Sequence, residues 1–152
     1  SAASPGATCT RSRRWATALS VWRARPARRL WRARTAAARY WSKTSCSLEL
    51  PAQRYDGVFA NAVLFHVPRQ VLPQVLRKLR ACLRPGGVLF SSKPRGDGQE
   101  GWNGERDGAF HDWPTWRALV TAAGFDELDH FYRPPGLPIE QQPWLASVWR
   151  RR

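Results

Sequence analysis

From Tyr55 onward, apolar and polar positions fall into blocks that specify a series of elements. Tyr55–Ala62, YDGVFANA, is apolar apart from Asp56 and Asn61 and predicts a buried strand. Across Arg69–Leu83 the residues Val71, Leu72, Val75, Leu76, Leu79, Cys82 and Leu83 recur at spacings of three and four. Arg69, Arg77, Lys78 and Arg80 fall on the other side. That pattern predicts an amphipathic helix, in which Pro73 is acceptable only within the first turn. Pro85-Gly86-Gly87 predicts a helix stop that turns the chain into a second apolar strand, Val88–Ser92. Lys93–Gly108 is polar and Gly-rich and reads as a loop long enough to carry function. Trp113–Ala123 predicts a second helix, with Pro114 in its first turn and Gly124 as its stop. Leu128–Tyr132 and Leu145–Trp149 read as final strands around a Pro-rich connection, Arg133–Pro143. Strand, helix, strand, helix, strand implies an α/β fold with parallel pairing.

Residues 1–48 have a different texture, and charge makes the boundary plain. The 152-residue chain carries a net charge of +14. Residues 1–48 hold 11 Lys and Arg and no Asp or Glu, whereas residues 49–152 are nearly balanced at +3. Ala and Arg fill 21 of those 48 positions, Trp recurs at 15, 22, 31 and 41, and no apolar period persists. The chain therefore divides into a basic Arg/Ala/Trp-rich segment, 1–48, expected to be disordered or non-native, and an α/β segment, 49–152. Cys9, Cys46 and Cys82 lack C-x-x-C spacing, so neither a disulfide framework nor a zinc site is indicated, and a reducing, cytoplasmic setting is expected. No apolar run reaches the ~18–20 residues of a membrane span, and no secretory apolar core is present. The chain starts at Ser1 and contains no Met, which leads us to expect a fragment or a processed product.

Four motifs carry a resemblance. Tyr55-Asp56-Gly57-Val58 with Ala60-Asn61-Ala62 resembles the fourth strand of class I S-adenosylmethionine-dependent methyltransferases, and Leu64-Phe65-His66-Val67-Pro68 the loop after it. Leu83-Arg84-Pro85-Gly86-Gly87-Val88-Leu89 is similar to the lead-in to the fifth strand, and Ala122-Ala123-Gly124-Phe125 to the close of the last helix. The resemblance spans about 49–150, in order and at ordinary spacings. It implies the C-terminal half of a Rossmann-like methyltransferase sheet, with strand order fourth, fifth, seventh, sixth, preceded by a basic segment with little regular sheet.

The resemblance implies S-adenosyl-L-methionine as cofactor, its methionine end lying against the carboxyl end of the fourth strand. This agrees with ligand binding beyond strand C-termini in open α/β sheets. Asn61, Ala62 and Val63 would then supply backbone contacts, with Phe65 and His66 nearby. Lys93, His111 and Trp113 are the substrate-facing candidates. The alternatives are core packing for Phe65, a backbone-bonded residue at the start of the helix for His66, and solvated loop positions for Lys93, His111 and Trp113. In-line displacement of a methyl group relies heavily on positioning, so no catalytic base is assigned, and no metal. A small molecule is the expected acceptor.

The departure from the family lies in the first third. A glycine-rich loop, a ribose-holding acid and an adenine-side acid should all precede Glu49, yet residues 1–48 contain no acid and no Gly-x-Gly. We read this segment as the family's first half in a shifted reading frame. Joining the third base of each codon to the next two forces Gly from Trp15-Ala16 and Leu from Tyr40-Trp41, and allows G-R-D-L-H-A-L-K-A-L-G-H-R-V-V-G-V-E-G-S over Pro5–Arg25. A transit peptide is the alternative, against which the four Trp and the missing amphipathic period count. A second function class is a nucleic-acid-binding module, in which Arg runs grip phosphates and Trp stacks on bases, through residues 1–48 only. A membrane-surface helix lacks the apolar face it requires. Without its first strands the sheet would expose the edge of Tyr55–Ala62, and self-association through that edge is expected.

Overall fold

The computed structural model describes residues 18–22, 50–103 and 106–152. Strand β1, Ala18–Trp22, precedes β2, Tyr55–Asn61. A short 3₁₀ turn at Leu64–His66 leads into helix α1, Leu72–Cys82. Then come β3, Leu83–Pro94; β4, Gln99–Asn103; β5, Arg106–Phe110; helix α2, Trp113–Ala122; β6, Phe125–Arg133; and β7, Trp144–Arg151. The main sheet runs β1-β2-β3-β7-β6. From β2 onward this is the order fourth, fifth, seventh, sixth that the resemblance implies. β2 and β3 pair parallel, while β7 runs antiparallel to both β3 and β6.

Helix α1 begins three residues later than its apolar period suggests. Pro73 cannot donate within a helix interior, so it sits in the first turn. The N–H groups of Val71 and Leu72 instead close a turn on the Pro68 carbonyl, at 2.9 and 3.0 Å. The helix also stops before Pro85, because Leu83 is already extended and hydrogen-bonded to β2. Pro85-Gly86-Gly87 therefore does not cap a helix. It forms an irregularity within β3, between the Tyr55↔Leu83 and Gly57↔Val88 pairings, and Gly86 takes φ +74°.

Two further expectations are corrected. Lys93–Gly108 is not a plain loop: β3 continues through Lys93 and Pro94, and β4 and β5 form an antiparallel hairpin. Its polar, Gly-rich strands lack the alternation that marks a half-buried strand, so their order comes from tertiary contacts. The Arg69 N–H donates to Glu100 Oε1 at 3.0 Å, and the Gly108 backbone lies so close to Phe65 that a Cβ there would fall 2.6 Å from its ring. The expected open edge of β2 is not open either. Ala18–Trp22 pairs with it antiparallel from Ala18↔Asn61 to Trp22↔Gly57, satisfying the backbone groups that would invite self-association. The rest of the 1–48 expectation, including nucleic-acid binding through it, lies outside the described residues.

Register sorts the side chains onto two faces. Val58, Ala60, Leu89, Leu145 and Trp149 face α1 and α2 and form one core with Leu72, Val75, Leu76, Leu79, Trp116 and Val120. Phe59, Asn61, Phe90, Ser92, Ala146, Val148, Phe131 and Arg133 occupy the opposite face. Among the described residues, no helix is long and apolar enough to cross a membrane.

Candidate functional site

The carboxyl ends of β2, β3 and β6 lie along one edge of the sheet, where the antiparallel β7 begins. At that edge Asn61 pairs with Ser92, and the chain then turns sharply. Ala62 takes φ +55°, a left-handed conformation that costs a residue with a Cβ about 1–2 kcal/mol. Its N–H donates to the Ser92 carbonyl at 2.8 Å, which anchors the turn to β3. Val63 is buried, and its carbonyl accepts from the His66 N–H at 3.1 Å.

Phe65 is buried, its ring centroid 3.9 Å from that of His66 and 5.9 Å from that of Phe110. Phe65 thus serves packing in this structure, holding the hairpin over the turn. His66 is half-buried within the 3₁₀ turn, short of helix α1.

Lys93 and His111 are not solvated loop residues. They are 1% and 0% exposed and lie together, the Lys93 Nζ donating to the His111 carbonyl and standing 5.3 Å from the Trp116 ring centroid. Burial pushes the Lys93 ammonium down to about 8, partly opposed by the Asp112 charge. Burial, with the Lys93 and Arg69 charges adding to it, pushes His111 down to about 4. Both His111 ring nitrogens are buried without a hydrogen-bond partner among the described residues. Trp113 stacks on His130 at 3.9 Å and lies 5.8 Å from Trp149. Asp112 caps α2 by accepting from the Thr115 N–H at 3.0 Å, and hydrogen bonding from the Thr115 side chain, then from its backbone, lowers its pKa.

Beneath this cluster a serine hydroxyl acts as a hub. Ser147 Oγ receives the indole N–H groups of Trp116 and Trp149, at 3.2 and 2.9 Å, and lies 2.9 Å from Ser91 Oγ. Indole N–H only donates, so both acceptor positions of Ser147 are filled and its own proton must go to Ser91. These serine and indole groups are therefore committed to structure.

On the opposite face, the same sheet edge carries a pocket of about 400 Å³ lined by Asn61, Arg133, Pro134, Pro135 and Trp144. Asn61 is the only residue among the sequence candidates that lines it. Arg133 Nη2 donates to Ser92 Oγ at 2.8 Å, and its Nε is buried without a partner among the described residues. Sequence reasoning missed Arg133 and Trp144 because they bracket a Pro-rich connection. The available signal was a lone Arg ending strand Phe125–Arg133, immediately before two prolines.

A profile described as a methyltransferase domain matches residues 9–134, most of the chain. The chain belongs to this methyltransferase domain family. The match extends into the basic segment, further toward the N-terminus than the motif resemblance. No curated protein matches the chain. Among solved structures it is similar to the Burkholderia thailandensis 1,6-didemethyltoxoflavin-N1-methyltransferase, solved with 1,6-didemethyltoxoflavin and S-adenosylhomocysteine bound. The TM-score is 0.58 at 25% identity, over 70% of this chain and 48% of that one. A Mesorhizobium loti S-adenosylmethionine-dependent methyltransferase gives 0.56 at 17% identity, over 72% and 67%. The [4+2]-cyclase SpnF gives 0.54 at 16% identity, over 72% and 55%. This chain thus spans about half the length of the Burkholderia enzyme, and the fold is the Rossmann-like methyltransferase fold. The cyclase shows that the fold alone does not fix the reaction.

Proposed function

We propose that this domain serves S-adenosylmethionine-dependent methyl transfer to a small-molecule acceptor, at the carboxyl edge of β2 and β3. The observation that carries this is the strained turn at Asn61-Ala62-Val63, anchored to Ser92 and opening onto a pocket. A non-glycine residue held in the left-handed region at a sheet edge is the kind of strain found where a ligand is met. The Burkholderia neighbour holds S-adenosylhomocysteine and a small heterocycle, which supports both cofactor and acceptor class.

The residues present fit the cofactor only at its methionine end. The Ala62 N–H is taken by Ser92, so the contact this residue offers is its carbonyl, with Asn61 and Val63 beside it. Phe65 and His66 hold the turn in place. Lys93 and His111 act as positioning residues, fixing the junction between β5 and α2 against the end of β3, and Trp113 locks α2 to the sheet. The cofactor brings an electrophilic methyl group on a sulfonium. The protein's part is to orient the acceptor in line and exclude water. Ribose and adenine contacts have no counterpart among residues 1–48, which lack acids and a Gly-x-Gly loop. We therefore infer that cofactor affinity requires the shifted-frame version of that segment. Cys82, a buried free thiol, suits the reducing setting of the cytoplasm.

Calorimetry with S-adenosylhomocysteine tests the reading. The chain as it stands should show no heat of binding, and a chain with residues 1–46 recoded in the shifted frame should bind in the micromolar range, about −8 kcal/mol. Failure of the recoded chain to bind would reject the cofactor assignment, and tight binding by the chain as it stands would reject the frame assignment.

A further inference from the structure

Among the described residues Arg133 and Arg151 each bury an Nε without a partner, and of the two it is Arg133 that lines a pocket. Arg84, Arg117 and Arg152 each have a carboxylate oxygen at 2.6–3.4 Å. Arg133 has none among the described residues. Its one hydrogen bond goes to the neutral Ser92 hydroxyl, and its Nε is buried without a partner. A half-buried guanidinium with an unmet Nε–H, beside a pocket with no acid among the described residues that line it, is poised for an anion.

The remaining walls narrow the class. Pro134, Pro135 and Trp144 make the walls largely apolar, which suits a planar ring. A volume of about 400 Å³ falls within the range of small-molecule sites and exceeds what a simple inorganic ion needs. Asn61, the residue implied to lie at the cofactor's methionine end, forms part of the same wall, so a ring held here lies next to the place where methyl transfer is proposed.

We propose that this pocket is the acceptor subsite and that Arg133, held by Ser92, selects a planar aromatic or heteroaromatic acceptor bearing a carboxylate. This rests on the methyltransferase reading for the word acceptor; the binding chemistry stands on the pocket itself. Guanidinium matches carboxylate geometry through paired N–H donors, and a neutral analogue leaves that charge unanswered. The cofactor's amino-acid end also carries a carboxylate, so the two sources must be separated.

The test uses calorimetry on the full chain without cofactor, with 2-naphthoate and its neutral analogue 2-naphthamide as probes. Naphthoate should bind about tenfold or more tighter than naphthamide, the size of a charge-assisted hydrogen bond. Arg133→Gln should erase that preference. Ser92→Ala, which removes only the holding hydroxyl and preserves shape, should reduce it several-fold. Arg77→Gln, an equal change in net charge on the exposed side of α1, should leave it intact, which separates the pocket from general attraction to a basic chain. S-adenosylhomocysteine should fail to displace naphthoate from the recoded chain. Equal affinity for the two probes, an equal loss in Arg77→Gln, or full displacement by S-adenosylhomocysteine would each overturn the proposal. Because the wild-type preference is read without cofactor, its failure is distinct from failure of the cofactor assignment.

Discussion

On one face of the sheet, Val58, Leu89, Leu145 and Trp149 lie under α1 and α2 with essentially no exposure. On the other, Phe59, Phe90, Val148 and Phe131 cross the same strands, Phe59 and Phe131 are 41% and 40% exposed, and neither helix packs over them. The first face also encloses the Lys93–His111 pair and the Ser147 hub, whose lysine, serine and indole groups hold the fold. The second keeps a guanidinium with an unmet Nε–H at its carboxyl edge, beside a pocket. Stability and ligand chemistry are thus divided between the two faces, and substitutions should report that division.

The largest contrast is between Leu79→Ala under the helices and Phe59→Ala opposite. Leu79 is fully buried, so truncation should cost about 2–5 kcal/mol, while Phe59→Ala should cost less than half as much. Urea unfolding of both variants checks this, and equal losses would break the comparison.

The next effect is pH-dependent and belongs to the helix-covered face. His111 titrates near 4 when folded and near its ordinary 6.5 when unfolded. Between those values the unfolded chain binds more protons, so stability falls as pH drops from about 6.5 to 4, by on the order of 2 kcal/mol. His111→Phe removes the titrating group and two unpartnered ring nitrogens, and should flatten that acid limb in thermal melts from pH 4 to 8. A variant with the wild-type slope would show that other groups set it.

A smaller, local effect is expected where the hairpin meets the turn. Gly108→Ala places a Cβ against the Phe65 ring and carbonyl, at 2.6 and 2.7 Å, and should cost about 1–2 kcal/mol through overpacking. Hydrogen exchange should speed up across 99–110 while α1 keeps its protection. Smallest is Phe131→Ser on the open face, expected to shift stability by about 0.5 kcal/mol or less. A larger loss there would mean that the face is covered.

The same division explains what was legible in the sequence. Strands and helices on the covered side announce themselves through period: Val75, Leu76 and Leu79 mark α1, and Gly124 ends α2. The order β2-β3-β7-β6 followed from motif order and resemblance. The β4–β5 hairpin was not legible, because polar and glycine residues carry no alternation and its register is imposed by Phe65 and Arg69 from elsewhere in the chain. The burial of Lys93 and His111 was equally hidden, since a lysine at a strand end reads as solvated until Trp116 and the His111 carbonyl are brought over it. Arg133 needed the β6–β7 pairing to bring it to Ser92, 41 residues away.

If the proposed function holds, the cofactor's methionine end meets the carboxyl edge of β2 on the face away from α1 and α2. Amide shifts of the ¹⁵N-labelled recoded chain, followed as S-adenosylhomocysteine is added, test it most directly. Saturable shifts are expected at Asn61, Ala62 and Val63, with α1 and the β6–β7 ladder below Ala146 unmoved. Saturable binding that leaves 61–63 unchanged and shifts residues elsewhere in the sheet would contradict it.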